Sequence, residues 1–150
     1  MNGVRLHYVL KGSGDKLLLF LHGFPEFWYA WRHQLEFFSA RGYKCVAVDM
    51  RGYNESDKPR GVSAYDRDLL MDDVRDLVAA LGHQSCTLVA HDWGGIVAWD
   101  VVRKYPDIFE RLVILNSPHP ILFLRNMSHE QLFKVRFERS WISVLSKMCV

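Results

Sequence analysis

The stretch that most restricts this chain is residues 86–95, Cys86-Thr87-Leu88-Val89-Ala90-His91-Asp92-Trp93-Gly94-Gly95. Cys86 to Ala90 has the length and composition of a buried strand, and helix period follows without a spacer to about Lys104, where Pro106 stops it. A strand that passes straight into a helix must reverse at a single corner residue. That residue is forced into strained dihedrals, so its neighbours have to be small. Ala90 and Gly94 flank Asp92 at two residues on either side, and Gly95 lets the helix lie close on the strand.

The rest of the chain repeats the alternation. Lys16 to Leu21 is a continuous apolar strand ending in His22-Gly23-Phe24-Pro25, followed by helix period with Trp31, Leu35 and Phe38 on one face. Lys44 to Val48 is the next buried strand and ends at Asp49. A turn-rich loop, Arg51 to Pro59, leads to a helix over 66–81 with Leu70, Val74, Leu77 and Leu81 along one stripe and Gly82 as its C-cap glycine. Arg111 to Leu115 is a further strand, and Val4 to Val9 alternates as a strand would. Asn2-Gly3 is a turn signal with no strand before it and reads as a short flexible terminus. Strands alternating with helices predict an α/β protein built on a mostly parallel sheet. The tail from Pro118 has no strand signal, and its Phe133, Phe137, Trp141, Val144 and Met148 share a helical face.

Composition excludes several classes. Apolar residues are 49% and charged residues 24%, a globular balance, and the net charge of +2 offers nothing to nucleic acid. The longest apolar run, Leu17 to Leu21, is too short to span a bilayer, and no leader peptide is visible, so the chain as given reads as cytoplasmic. Three cysteines, Cys45, Cys86 and Cys149, are widely spaced, and no metal-ligand spacing occurs; neither a disulfide framework, a metal site nor a cofactor is expected. Gly94-Gly95 lacks the dinucleotide pattern, and Gly12-Ser13-Gly14 precedes a strand, where a phosphate loop would open a helix.

An Asp at a strand-to-helix junction is ordinarily an N-cap. Set between small residues, with His-Gly-Phe-Pro upstream, Asp92 reads instead as a nucleophile at a sharp elbow. A carboxylate displaces at saturated carbon and gives an alkyl ester, so epoxides and alkyl halides are the matching substrates. Water must then attack the carboxyl carbon of Asp92, and the oxyanion formed needs two backbone N–H donors. Trp93, opening the helix, and Phe24, in the loop after the 16–21 strand, are the expected donors, and both also offer apolar walls to a substrate.

Together, His22-Gly23-Phe24-Pro25-Glu26, Arg51-Gly52-Tyr53 with Ser56-Asp57-Lys58-Pro59, His91-Asp92-Trp93-Gly94-Gly95 and Asn116-Ser117-Pro118-His119-Pro120 resemble the epoxide hydrolases of the α/β-hydrolase fold, over about residues 4–134. The resemblance is strongest to the vertebrate-type enzymes related to the soluble one. It implies the N-terminal half of a doubly wound, mostly parallel sheet over residues 1–118, with 119–150 the truncated or divergent start of a helical cap. It implies Asp92 as nucleophile, Phe24 and Trp93 as oxyanion hole, Pro25 as a cis proline, and His22, Gly23, Ala90, Gly94 and Gly95 as structural residues of the site. Where the family usually has Gly, this chain has Asn54, which tolerates left-handed dihedrals.

Other parts of the family pattern are absent. The family takes its acid from beyond a later strand or, in some relatives, from the position of Asn116, and its histidine base from near the end of a longer chain. His22 and His91 belong to the motifs above, His7, His33 and His83 are expected at the surface, and His119 is a position where the family keeps a histidine besides its base. The two cap tyrosines that protonate the epoxide oxygen have no counterpart, since no Tyr follows Tyr105, and Arg136 to Trp141 departs from the family. The expectation is therefore an incomplete chain lacking the first sheet strand and the last two, inactive or limited to a single turnover, acting on a small apolar epoxide. Its exposed strand edge would allow self-association, and membrane association, at the endoplasmic reticulum, belongs only to a longer form. Two alternatives stand beside this. One is a haloalkane or haloacid dehalogenase, although Phe24 stands where haloalkane dehalogenases place Asn, and Trp93 where fluoroacetate dehalogenases place Arg. The other is a non-catalytic product that associates with a full-length relative; five Lys or Arg against two Glu after Pro120 would also suit a membrane surface.

Overall fold

A computed structural model describes residues 2–126; the predicted helical face from Phe133 to Met148 lies outside the described residues. Five strands form one sheet: β1 (Tyr8–Lys11), β2 (Lys16–Leu21), β3 (Tyr43–Val48), β4 (Cys86–His91) and β5 (Phe109–Leu115), in the order β1-β3-β2-β4-β5. β1 runs antiparallel to β3, and every other pairing is parallel. The helices are α1 (Arg32–Ser39), α2 (Arg67–Ala80), α3 (Asp92–Lys104) and α4 (Pro120–Asn126).

The central strands are apolar on both faces because helices cover both. Leu17, Leu19 and Leu21 pack with Val46, Val48, Val74, Leu77, Val97 and Val101 under α2 and α3. Leu18 and Phe20 point the other way, toward Trp31 and Leu35 beside α1. This two-sided burial is what a continuous apolar run such as Leu17-Leu18-Leu19-Phe20-Leu21 encodes. After β3 the chain crosses back over β2 to reach β4. The sheet therefore has its switch point between β2 and β4, where the connections leaving the carboxyl ends run to opposite faces of the sheet. Register places Leu21 beside Val48 and Ala90, so the residues that follow all three strands meet at one edge.

Glycine ends α2 as expected. Gly82 has φ +80°, its N–H donates to the Ala79 carbonyl at 3.0 Å, and the His83 N–H reaches the Val78 carbonyl at 3.2 Å, a Schellman closure. One buried ion pair fastens this layer: Arg51 bonds both carboxylate oxygens of Asp73, at 2.8 and 2.7 Å, and the Ala64 carbonyl at 2.9 Å.

Three expectations need correction. The alternating run from Val4 yields a strand only over Tyr8–Lys11. Val4 and Leu6 are buried as the alternation requires, but Arg5 exchanges hydrogen bonds with Asp57, and the His7 N–H donates to the Ser56 hydroxyl at 2.8 Å, so the partner is a loop and no ladder forms. The Asn2-Gly3 turn is formed (φ +45° and +73°) and docked, with the Asn2 side-chain amide donating to the Leu69 carbonyl at 3.1 Å and to Asp73 at 3.3 Å. Finally, His7 is half-buried rather than free on the surface: its ring meets the fully buried Asp49 at 2.6 Å.

Candidate active site

β4 ends at His91, and α3 begins at Asp92, which has φ +48°. A non-glycine residue in this region costs on the order of 1–3 kcal/mol unless its surroundings over-determine it. They do so here. The Gly94 N–H donates to the His22 carbonyl at 3.1 Å, tying the first turn of α3 to the end of β2. A Cβ on Gly94 would stand 2.5 Å from that carbonyl oxygen and 2.8 Å from that of Leu21, and a Cβ on Gly95 would stand 2.5 Å from Cβ of Ser117. Ala90 is fully buried between the sheet and its neighbours. Gly94 and Gly95 thus leave no room for a Cβ without a shift of their neighbours, and Ala90 has no exposed surface.

Opposite the elbow lies the loop after β2. The Phe24–Pro25 peptide is cis, and the turn is closed by the Glu26 N–H donating to the Gly23 carbonyl at 3.0 Å. In this turn the Phe24 N–H donates to the Asp92 carboxylate (Oδ1) at 3.1 Å. Gly23 allows the close approach: a Cβ there would lie 2.8 Å from both Cβ of Asp92 and Nδ1 of His91. Trp93 follows Asp92 in the first turn of α3, where backbone N–H groups have no partner within the helix and the helix dipole is positive. Phe24 is 41% exposed, so one of its faces is free to line a pocket.

His22 is fully buried, and its two ring nitrogens have fixed roles. Nδ1–H donates to the Gly23 carbonyl at 2.8 Å, and Nε2 accepts from the Met50 N–H at 3.0 Å. Both bonds together require the neutral ring. Burial pushes its pKa down, against the opposing pull of the Gly23 carbonyl and of the Asp49 and Glu26 carboxylates.

Two features escaped the sequence. The Glu26 carboxylate accepts from the Gly23 N–H at 3.0 Å and meets Nδ1 of His91 at 3.1 Å, so it links the loop to the residue before the elbow. Asp49 accepts from the Trp28 N–H at 2.8 Å and from the Asn54 side-chain amide at 2.8 Å, besides meeting His7. Asn54 has φ +42°, the left-handed conformation that its place in the loop demands, and adds that bond to Asp49. Histidine followed by a carboxylate three residues past a glycine was the available signal for the first. For the second, no local signal exists.

None of the described histidines other than His91 and His22 belongs to the loop and elbow. His119 stacks edge-on against Trp99 at 4.7 Å with its Nδ1 buried and unpartnered, while Trp99 donates to the Ser117 carbonyl at 3.2 Å. His33 is exposed, and His83 lies 3.2 Å from the Lys44 ammonium. Asn116 has φ +53° after β5. Among the described residues no group of His, Cys, Asp or Glu could hold a metal, and no helix is long and apolar enough to cross a membrane.

An elbow at a strand-to-helix corner, at the switch point of a mostly parallel sheet, defines a class of enzymes, and residues 16–139 match the α/β-hydrolase fold family model. The chain belongs to that family. Within it, the chain is similar to epoxide hydrolases: it is 48% identical to Epoxide hydrolase 1 of Caenorhabditis elegans over 139 residues, 92% of this chain and 33% of the relative. It is 45% identical to Epoxide hydrolase 4 of Mus musculus, covering 91% of this chain and 38% of that one. Among solved structures, an epoxide hydrolase from Bacillus megaterium superposes with a TM-score of 0.80 at 47% identity over 87% of this chain and 46% of its own. The chain thus spans roughly a third to two-fifths of the length of these curated relatives.

Proposed function

We propose that this chain carries the nucleophilic half of an epoxide hydrolase, with Asp92 opening an apolar epoxide to form an alkyl ester. The observation that carries the reading is the Phe24 N–H bond to the Asp92 carboxylate across the switch point. Asp92 Oδ1 accepts from the Phe24 N–H, and the other oxygen attacks a ring carbon from the side opposite the breaking C–O bond; the released alkoxide takes its proton from solvent water. When water later adds to the Asp92 carboxyl carbon, the N–H groups of Phe24 and Trp93 stabilise the oxyanion. His22, Gly23, Pro25, Ala90, Gly94 and Gly95 shape the site without touching substrate. One Bacillus megaterium structure is described as a complex with its product, a naphthyloxy-propanediol, which fits an aromatic epoxide and its diol as the substrate pair. Residues 1–118 form the core in this reading, and residues from 119 begin a cap.

Turnover does not follow from the same geometry. Of the described histidines, His7, His22, His83 and His91 are engaged by other groups, His119 rests edge-on against Trp99 and His33 is exposed, and none is hydrogen-bonded to Asp92. On this reading the described residues carry the reaction as far as the ester. Incubation with a reactive aryl epoxide and peptide mapping should find a persistent adduct on Asp92; Asp92→Asn, a residue that also accepts positive φ, should stay folded and unlabelled at that position. Sustained diol formation by the purified 150 residues would sink the single-turnover reading, and absence of any adduct on Asp92 would sink the nucleophile.

A second reading, association with another chain, is favoured by the open face beside β5, where Val113 is 46% and Leu115 40% exposed.

A further inference from the structure

Asp49 is the one fully buried carboxylate beside the loop after β2, and the chemistry above gives it no task. Its position is specific. It is the first residue after β3, and the next residue, Met50, donates its N–H to His22 Nε2. The loop from His22 to Trp28 is therefore clipped at both ends by consecutive residues of one strand end: His22 by Met50, and Trp28 by Asp49 Oδ1 at 2.8 Å. The far clip also supplies a missing cap. A short 3-10 helix begins at Trp28, its N-cap residue Phe27 has no side-chain acceptor, and Asp49 provides one from across the sheet. The second oxygen of Asp49 is held by two donors, His7 Nδ1 at 2.6 Å and the Asn54 amide at 2.8 Å, so the carboxylate cannot turn. Its backbone is pinned as well, by the N–H bond to the His7 carbonyl at 2.9 Å and the Ser56 hydroxyl donating to its own carbonyl at 2.5 Å.

We propose that Asp49 is a positioning residue of the oxyanion hole, fixing the loop between its two clips so that the Phe24 N–H points at Asp92. The inference rests on the assignment of Asp92 as nucleophile. Burying a carboxylate is costly unless every oxygen is satisfied, and here the satisfied oxygens join three stretches of chain: the N-terminal segment through His7, the Asn54 loop, and the oxyanion loop through Trp28. Asp49 touches no reacting atom and acts only through the backbone it holds. The Phe24 N–H also orients the Asp92 carboxylate before it attacks, and misplacement by about 1 Å at a reacting centre costs up to about 100-fold in rate, so a loosened Trp28 clip should register at Phe24 and in the alkylation step.

The test is the rate of Asp92 alkylation by a reactive aryl epoxide, measured on the full chain by intact mass. Asp49→Asn keeps the shape, yet its amide must face one of the existing donors with a donor of its own. The expected result is a fall of about 10- to 100-fold in the limiting rate constant, with the half-saturating epoxide concentration unchanged. The backbone amide resonances of Phe24 and Trp28 should both move, while those of Leu19 and Val46 stay. Val78→Ala, a core truncation on the buried face of α2, controls for lost stability and should leave the rate of the folded fraction unaltered. Should Asp49→Asn fail to fold, His7→Gln and Asn54→Ala loosen the carboxylate one donor at a time and are expected to give smaller losses in the same rate constant. An unchanged rate in whichever variants fold overturns the proposal. If wild type shows no adduct, the nucleophile reading falls, and the amide resonances still decide: Phe24 and Trp28 unmoved by substitution at Asp49 overturn its positioning role.

Discussion

At the scale of single residues, the elbow is governed by what cannot fit. Gly94 has no room for a methyl group, since two backbone carbonyls stand within 2.8 Å of where it would be, and carbonyls held at the end of β2 and just beyond it cannot yield as a flexible side chain would. Gly94→Ala should therefore cost about 1–3 kcal/mol, the range for overpacking, read as a lowered urea midpoint with unchanged slope. The same substitution at Gly82, where nothing lies within 4 Å, meets only the positive φ and separates steric from conformational cost. This part of the site was legible because its requirement is local: the corner, its small neighbours and the helix start lie within 90–95 of the sequence. The Asp49 hub was not, because its partners lie 21 and 42 residues away and each, a Trp N–H and a His, is an ordinary loop or strand residue by itself. Asn54 shows the intermediate case. Its tolerance of positive φ could be read from residue type, but its bond to Asp49 needed the fold.

At the scale of elements, the loop after β2 owes its shape to a neutral imidazole. Folding holds His22 uncharged and lowers its pKa below the ordinary 6.5. The unfolded chain therefore binds the proton more readily than the native one. Stability from this group is complete above pH 6.5 and is lost progressively as pH falls from there through the lowered native value. Ring nitrogen NMR shifts should show the Nδ1–H tautomer persisting below pH 6.5, with unfolding midpoints declining over the same interval; a ring that titrates at or above 6.5 in the native protein would contradict this. Element types were legible for β2, β3, β4, α2 and α3, whose apolar periods are long and are answered by the sheet's two covered faces. The N-terminal alternation misled over Val4 to His7 because burial of alternate residues does not itself specify a strand partner. There the partner turned out to be the loop carrying Ser56 and Asp57.

At the scale of the molecule, the described residues cover the two faces of the sheet unequally. Among them, α2 and α3 lie over one face across β2 to β5, while α1 packs on the other beside β2 and β3. Val113 and Leu115 on β5, and Ile121, Leu122 and Phe123 on α4, stay 40–55% exposed. A strand edge beside an apolar surface of this kind favours pairing with another chain. Sedimentation should reveal concentration-dependent self-association of the isolated chain, and Val113→Lys, which puts a charge on the open face, should reduce it without lowering the unfolding midpoint.

The two thiols in the sheet add a practical consequence. Burial pushes Cys45 up to about 11 and, aided by the nearby Glu110 charge, Cys86 up to about 12, so neither presents a thiolate near neutrality. Soft electrophiles that ordinarily brand cysteine first will pass these two by. With Cys149 replaced by serine, a tagged epoxide should report on a carboxylate, marking Asp92 in the purified chain with no reactive thiol of its own in competition.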